Sequence, residues 1–148
     1  YSPYRQEVYA DQLVERPDHF EVALNLAVTL TEDNSDDSIS AALSPVKAML
    51  GFYIGGMGAR GQNYHTKLMA RMGFEAEAHQ IQDLFLEGRR DEAIATVPDR
   101  FADEISLVGT PERIRDRLQA FEESPGTMLN VAPRSNDHLR QVAELIQV

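Results

Sequence analysis

From Phe20 onward, large apolar residues alternate with small or polar ones without a break: Phe20, Val22, Leu24, Leu26, Val28 and Leu30 against Glu21, Ala23, Asn25, Ala27 and Thr29. A period of two held over residues 20–30 predicts a β-strand. Near the other end, the short apolar run in "GTMLNVAP", between Gly126 and Pro133, predicts a second strand near residues 127–131. Helical spacing fills nearly everything else. Behind Ser35 and the acids Asp36 and Asp37, residues 36–54 repeat Ile39, Ala42, Leu43, Val46, Leu50, Tyr53 and Ile54 on one face, with Pro45 expected to kink or divide the helix. Asn63 is placed to cap a helix ending at Gly73, and Ala78, Ile81, Leu84 and Phe85 stripe the next one, which stops at Gly88. A shorter helix over 89–97 ends at Pro98. Thr110, Pro111 and Glu112 mark an explicit start, followed by Ile114, Leu118 and Phe121; Leu139, Val142, Ala143 and Ile146 stripe the last helix. At the opening, Ser2 and Pro3 read as an N-cap and a first helical residue.

This order, helix, strand, long helical stretch, strand, helix, sets the fold class as α/β. Two strands alone do not make an independent sheet, and strands covered by helices belong to parallel sheets. A (β/α) barrel or a doubly wound sheet fits, and in a barrel the bulky face of 20–30 would meet the outer helices. A complete barrel needs about 250 residues, so a chain of 148 reads as a terminal part of one. Without the remaining strands, the Leu24 and Val28 face is expected to lie exposed and to drive association into homo-oligomers.

Composition narrows the function classes. With 43% apolar and 26% charged residues the chain is a soluble globular type, and no stretch approaches the ~20 apolar residues of a membrane span. Fourteen basic residues among twenty-four acidic ones, a net charge of −10, argue against nucleic acid as a partner. The absence of cysteine excludes disulfides and thiolate chemistry, and the expected location is the cytoplasm. No metal site is expected: Glu75 and His79 have a helical i, i+4 spacing but no second ligand pair, and Asp33, Asp36 and Asp37 lack the spacing of a calcium loop. The five methionines are expected mainly in the core.

The stretch "GFYIGGMGARG" places five glycines at the tail of an amphipathic helix. Gly56 to Gly61 satisfies G-x-G-x-x-G, but that fingerprint needs a strand immediately before it, and the preceding residues read as helix. A helix end with a flexible connection is one explanation. The other is a backbone nest ahead of the Asn63 helix start, where N–H groups and a positive helix end hold a phosphate and Arg60 donates to it.

The stretch from "YIGGMGARGQNYH" through "DEISLVGTPERIRDRLQAF" resembles the bacterial-luciferase-like superfamily, and within it the deazaflavin-dependent oxidoreductases of the luciferase-like monooxygenase class. "YSPYRQEVYADQL" is similar to that family's helix after the sixth strand. The resemblance covers the C-terminal two-fifths or so of a family member, with strand seven near 20–30, a helical insertion over 36–104 and strand eight near 127–131. It implies the C-terminal part of a (β/α)8 TIM barrel that binds coenzyme F-420, with FMN as the alternative, and transfers hydride to or from a small organic substrate. It further implies that Gly55, Gly56, Met57 and Gly58 border the cofactor phosphate, together with Arg60, Asn63 and Arg134. Catalytic residues are expected on strands that precede this chain, so the piece alone is expected to be inactive. The competing class is a non-catalytic helical module for oligomerisation or partner binding.

Overall fold

The computed structural model describes residues 1–9, 17 and 19–146, and the part of the expected N-terminal helix beyond Tyr9 lies outside the described residues. The described residues form two compact units, Tyr1–Ala42 with Glu104–Val148, and Leu43–Asp103.

The first unit holds a three-stranded parallel sheet. Its central strand β1 (Ala23–Leu30) pairs along its second half with β2 (Ser106–Gly109), from Ala27↔Ser106 to Leu30↔Gly109. Along its first half it pairs with β3 (Met128–Val131), from Ala23↔Met128 to Leu26↔Val131. The alternation of β1 is realised as read: Leu24, Leu26 and Val28 point into a core with Leu107, Ile114, Leu118, Phe121, Val142 and Leu145. The last five side chains come from the two helices that cover this face, α6 (Pro111–Glu122), whose stripe is as the sequence marked it, and α7 (Asn136–Ile146), which buries Val142 and Leu145 and leaves Leu139 and Ile146 of its expected stripe about half exposed. Each large apolar side chain buried this way stabilises the fold by roughly 1.5–3 kcal/mol.

Several expectations are corrected here. The face of Leu24 and Val28 is not an exposed patch, because α6 and α7 already bury it to 6% and 5% exposure. Strand order begins at Ala23 rather than Phe20, which is 56% exposed. The sequence showed two strands; β2 is the third, and its four residues are all buried, so no alternation betrays them. The opening residues Pro3–Tyr9 form a 3-10 segment broken by non-helical dihedrals at Arg5, and the Ser2 hydroxyl is buried without a partner instead of capping it. Of the methionines, Met69 and Met72 are buried, whereas Met49, Met57 and Met128 are about half exposed.

The second unit is helical. Helix α1 (Asp36–Gly56) starts in the first unit, where the Asp33 carboxylate accepts from the Ser35 N–H at 2.9 Å and hydroxyl at 2.6 Å, and Ser35 Oγ in turn accepts from Ser38 N–H. It runs uninterrupted through Pro45, so the expected division does not occur. Next come α2 (Tyr64–Arg71), α3 (Glu75–Leu86), α4 (Arg90–Thr96) and α5 (Asp99–Glu104). Gly73 and Gly88 follow α2 and α3 with φ of 88° and 83°, the left-handed stops expected of them. Leu43, Ile54, Met69, Met72, Ala78, Ile81, Ala93, Val97 and Phe101 are among the buried apolar side chains of this unit. No helix among the described residues is long and apolar enough to cross a membrane.

Candidate functional site

Because α1 is helical through Gly56, no strand precedes the glycine motif, and a dinucleotide fingerprint is excluded by its context. The first glycines have a packing cause. A Cβ on Gly55 would lie 2.4 Å from Phe85 Cβ and 2.6 Å from its Cγ, and one on Gly51 would lie 2.8 Å from Ile94 Cγ1. Side chains of α3 and α4 therefore press directly on the backbone of α1. A Cβ on Gly56 would meet the outer edge of the Phe85 ring, at 2.6 Å from Cε1.

Beyond Gly56 the chain turns through Met57–Gln62, and here glycine is required for a different reason. Gly61 has φ +74° in open space, and Gly58 has φ +156° with its Cβ position 3.0 Å from the Asn63 Cα. Asn63 closes the turn. Its Oδ1 accepts from the N–H groups of His65 at 2.8 Å and Thr66 at 3.3 Å, capping α2 as the sequence indicated. Its Nδ2 donates to the carbonyls of Tyr53 at 3.0 Å and Ile54 at 2.8 Å, and the Thr66 hydroxyl donates to the Ile54 carbonyl at 2.6 Å. Asn63 is 1% exposed, so this side chain is a clasp between the end of α1 and the start of α2 with all its hydrogen-bonding capacity spent. His65 packs edge-on between Tyr53 and Tyr64, and burial shifts its imidazole toward the neutral form.

Beside the clasp lies a depression of about 410 Å³ lined by Arg60, Gly61, Asn63, Thr66, Lys67, His79, Gln82 and Asp83. The Arg60 guanidinium pairs with the Asp83 carboxylate at its rim while staying largely exposed. Gln82 and Lys67 were not singled out from the sequence. A signal for Gln82 existed: with Ala78, Ile81 and Phe85 it follows the i, i+3, i+4, i+7 rhythm of the buried stripe, a polar residue in an apolar slot. Among the described residues, no group of three or more His, Cys, Asp or Glu side chains is arranged to hold a metal.

The remaining candidate, Arg134, belongs to the first unit. It follows β3 by three residues, and its Nη2 donates to Thr29 Oγ1 at 3.1 Å, near the C-terminal end of β1. The sheet face it borders carries Asn25, Ala27, Thr29 and Asn130, small or polar groups left uncovered to varying degree, opposite the face packed by α6 and α7. Gly55, Gly56, Met57, Gly58, Arg60 and Asn63 are thus gathered at one helix corner, and Arg134 stands on a strand edge of the other unit.

The pattern that defines the luciferase-like monooxygenase family matches residues 7–128. The chain belongs to that family. It is also 32% identical over 155 aligned residues to a protein of Mycobacterium tuberculosis named as a coenzyme F-420-dependent oxidoreductase. That alignment takes in 99% of this chain but 43% of the relative's length. The mixed α/β architecture with its small parallel sheet agrees with a part of such a luciferase-like protein.

Proposed function

We propose that the protein to which this chain belongs is a cytoplasmic oxidoreductase that passes hydride between a reduced deazaflavin, coenzyme F-420, and a small organic substrate, with FMN as the second choice of cofactor. The observation that carries the reading is the family membership together with the name of the mycobacterial relative, which aligns along nearly all of the chain. In this reading β1 and β3 are strands seven and eight of a (β/α)8 barrel; their parallel adjacency supports it, while β2 holds the other edge of β1, where strand six of a barrel would lie. Ligands of such sheets bind at the C-terminal ends of the strands, which is where Arg134 lies against Thr29. Arg134, with an exposed guanidinium at the strand ends, fits the phosphate of either cofactor, whereas the N–H groups of Gly55 and Gly56 belong to the helical ladder of α1 and Asn63 shapes the turn rather than donating from its side chain. When bound, the cofactor supplies the hydride chemistry; Arg134 would bind and orient it.

Calorimetric titration of coenzyme F-420 and FMN into the full-length protein tests this. Binding of F-420, weakened about tenfold in Arg134→Gln by loss of a charge-assisted hydrogen bond, is the expected result. If neither cofactor binds, the reading is wrong.

A second reading, a helical assembly module, is favoured by one feature. Met49, Phe52 and Tyr53 form a stripe on α1 that is 38–51% exposed, and Met57, just past its end, is 50% exposed. Such a stripe suits self-association, and sedimentation of the full-length protein across a dilution series, with and without Phe52→Ser, measures it.

A further inference from the structure

We infer that His138 is a positioning residue for Arg134: its imidazole holds the backbone of the loop after β3, so that the Arg134 guanidinium stands at the C-terminal end of β1 before a cofactor phosphate arrives. The inference rests on the cofactor reading above and adds to it a residue that acts through another. The chain here reads Pro133, Arg134, Ser135, Asn136, Asp137, His138, and α7 begins at Asn136. Ser135 Oγ accepts from the His138 N–H at 3.1 Å, and the Ser135 carbonyl accepts from the Leu139 N–H at 3.0 Å, so Ser135 is the N-cap of α7. In a capping box the residue three positions after the cap, usually Glu or Gln, reaches back to the backbone N–H of the cap. His138 occupies that third position and reaches one residue further. Its Nδ1 accepts from the Arg134 N–H at 3.0 Å, which places the ring's own proton on Nε2.

Arg134 is thereby held at two points, its backbone by His138 and its guanidinium by Thr29 Oγ1 at 3.1 Å. The double hold matters because an exposed arginine has more rotamer freedom to lose on meeting an anion than almost any other side chain. A restraint in place before the ligand arrives lowers the ordering cost of binding. Pro133 adds to the restraint, since its ring fixes φ immediately ahead of Arg134. Arg134, Ser135, Asn136 and Asp137 are exposed, whereas His138 is partly buried, so the imidazole is the side chain of this stretch that is set into the fold.

The test uses the full-length protein and calorimetric titration of coenzyme F-420. Where Arg134→Gln binds about tenfold more weakly than the wild type, His138→Leu should bind about fivefold more weakly, the scale of one hydrogen bond between neutral groups. In the double variant the loss should stay at about tenfold, because His138 acts only through Arg134; independent contributions would multiply to about fiftyfold. His138→Asn, whose Oδ1 stands the same number of bonds from Cα as Nδ1, should bind within about twofold of the wild type. A residue that merely stabilised α7 would lower the melting temperature without producing this pattern of affinities. In the absence of ligand, nitrogen-15 NMR of labelled histidine should show the tautomer with Nδ1 bare and Nε2 protonated for the resonance missing from His138→Asn. A proton on Nδ1, unchanged affinity in His138→Leu, a multiplied loss in the double variant, or failure of asparagine to restore binding overturns the inference. F-420 that does not bind the wild type, or that ignores Arg134→Gln, removes the cofactor reading and this role together, whereas F-420 that responds to Arg134→Gln but not to His138→Leu removes this role alone.

Discussion

Replacing Asn63 by alanine removes four hydrogen bonds at once, two that cap α2 and two that hold the end of α1. Loss of an asparagine cap costs about 0.5–2 kcal/mol. The Ile54 carbonyl keeps its bond from the Thr66 hydroxyl, so on the α1 side the main loss is the Tyr53 carbonyl's bond, at roughly 1 kcal/mol. With the small cavity left at a residue 1% exposed, the total comes to about 2–4 kcal/mol. Asn63→Asp separates the two halves, since aspartate caps a helix as well as asparagine but presents no N–H to the carbonyls of Tyr53 and Ile54. It should therefore also destabilise, by at least about 1 kcal/mol, through a buried carboxylate facing two carbonyl oxygens. Urea denaturation followed by circular dichroism measures both, with the loss read as a lower midpoint at unchanged slope. Should Asn63→Asp match the wild type, the clasp on α1 contributes nothing and the reasoning fails. Should Asn63→Ala cost less than about 0.5 kcal/mol, the cap fails with it.

Further expectations follow from the same contacts. Gly55→Ala drives a methyl group into the Cβ, Cγ and Cδ2 of Phe85 and should cost about 1–3 kcal/mol, with part of the loss recovered in the double variant with Phe85→Ala, which removes Cγ and Cδ2 but keeps Cβ; simple additivity in a denaturation cycle would contradict the packing argument. Gly61→Ala meets no atom within 4 Å, so its cost should be confined to the φ of +74°, about 1 kcal/mol, and should not respond to Phe85→Ala. Asp33 is held down to about 2, from an ordinary 3.8, first by the Ser35 hydroxyl and then by the Ser35 N–H and the Ser38 hydroxyl. A folded value below the unfolded one means its stabilisation is complete above pH 3.8 and is lost as pH falls through about 2. The stability gap between wild type and Asp33→Asn should accordingly close over that acid window, and a carboxyl NMR titration with its midpoint near 3.8 would refute the hydrogen-bond cause.

The sequence carried the larger architecture because its signals were long. Eleven alternating residues defined β1 and even the side it would bury, and the caps at Asn63 and Thr110 placed two helix starts to the residue. β2 was hidden because a four-residue strand buried throughout has no polar positions to mark its period. Ser2 misled because a cap preference is local, whereas burial of its hydroxyl is decided by tertiary packing. At the candidate site, the turn after Gly56 was legible from composition, but the reason for Gly55 was not. Its neighbour Phe85 lies thirty residues away, and only the packed helices bring the ring onto the α1 backbone. Gln82 was legible only as a breach in an apolar stripe.

The pairing of β1 with β3 across about one hundred residues has a consequence for synthesis on the ribosome. At roughly 5–20 residues per second, β1 emerges some 5–20 seconds before its outer neighbour exists. Until β2 and α6 follow it off the ribosome, Leu24, Leu26 and Val28 lack the side chains of Leu107, Ile114, Leu118 and Phe121 that bury them, while the helices of the second unit can already form from contacts close in sequence. The nascent chain thus carries a β-segment whose core is only part made while a helical body grows behind it, the kind of surface that chaperones hold until translation catches up.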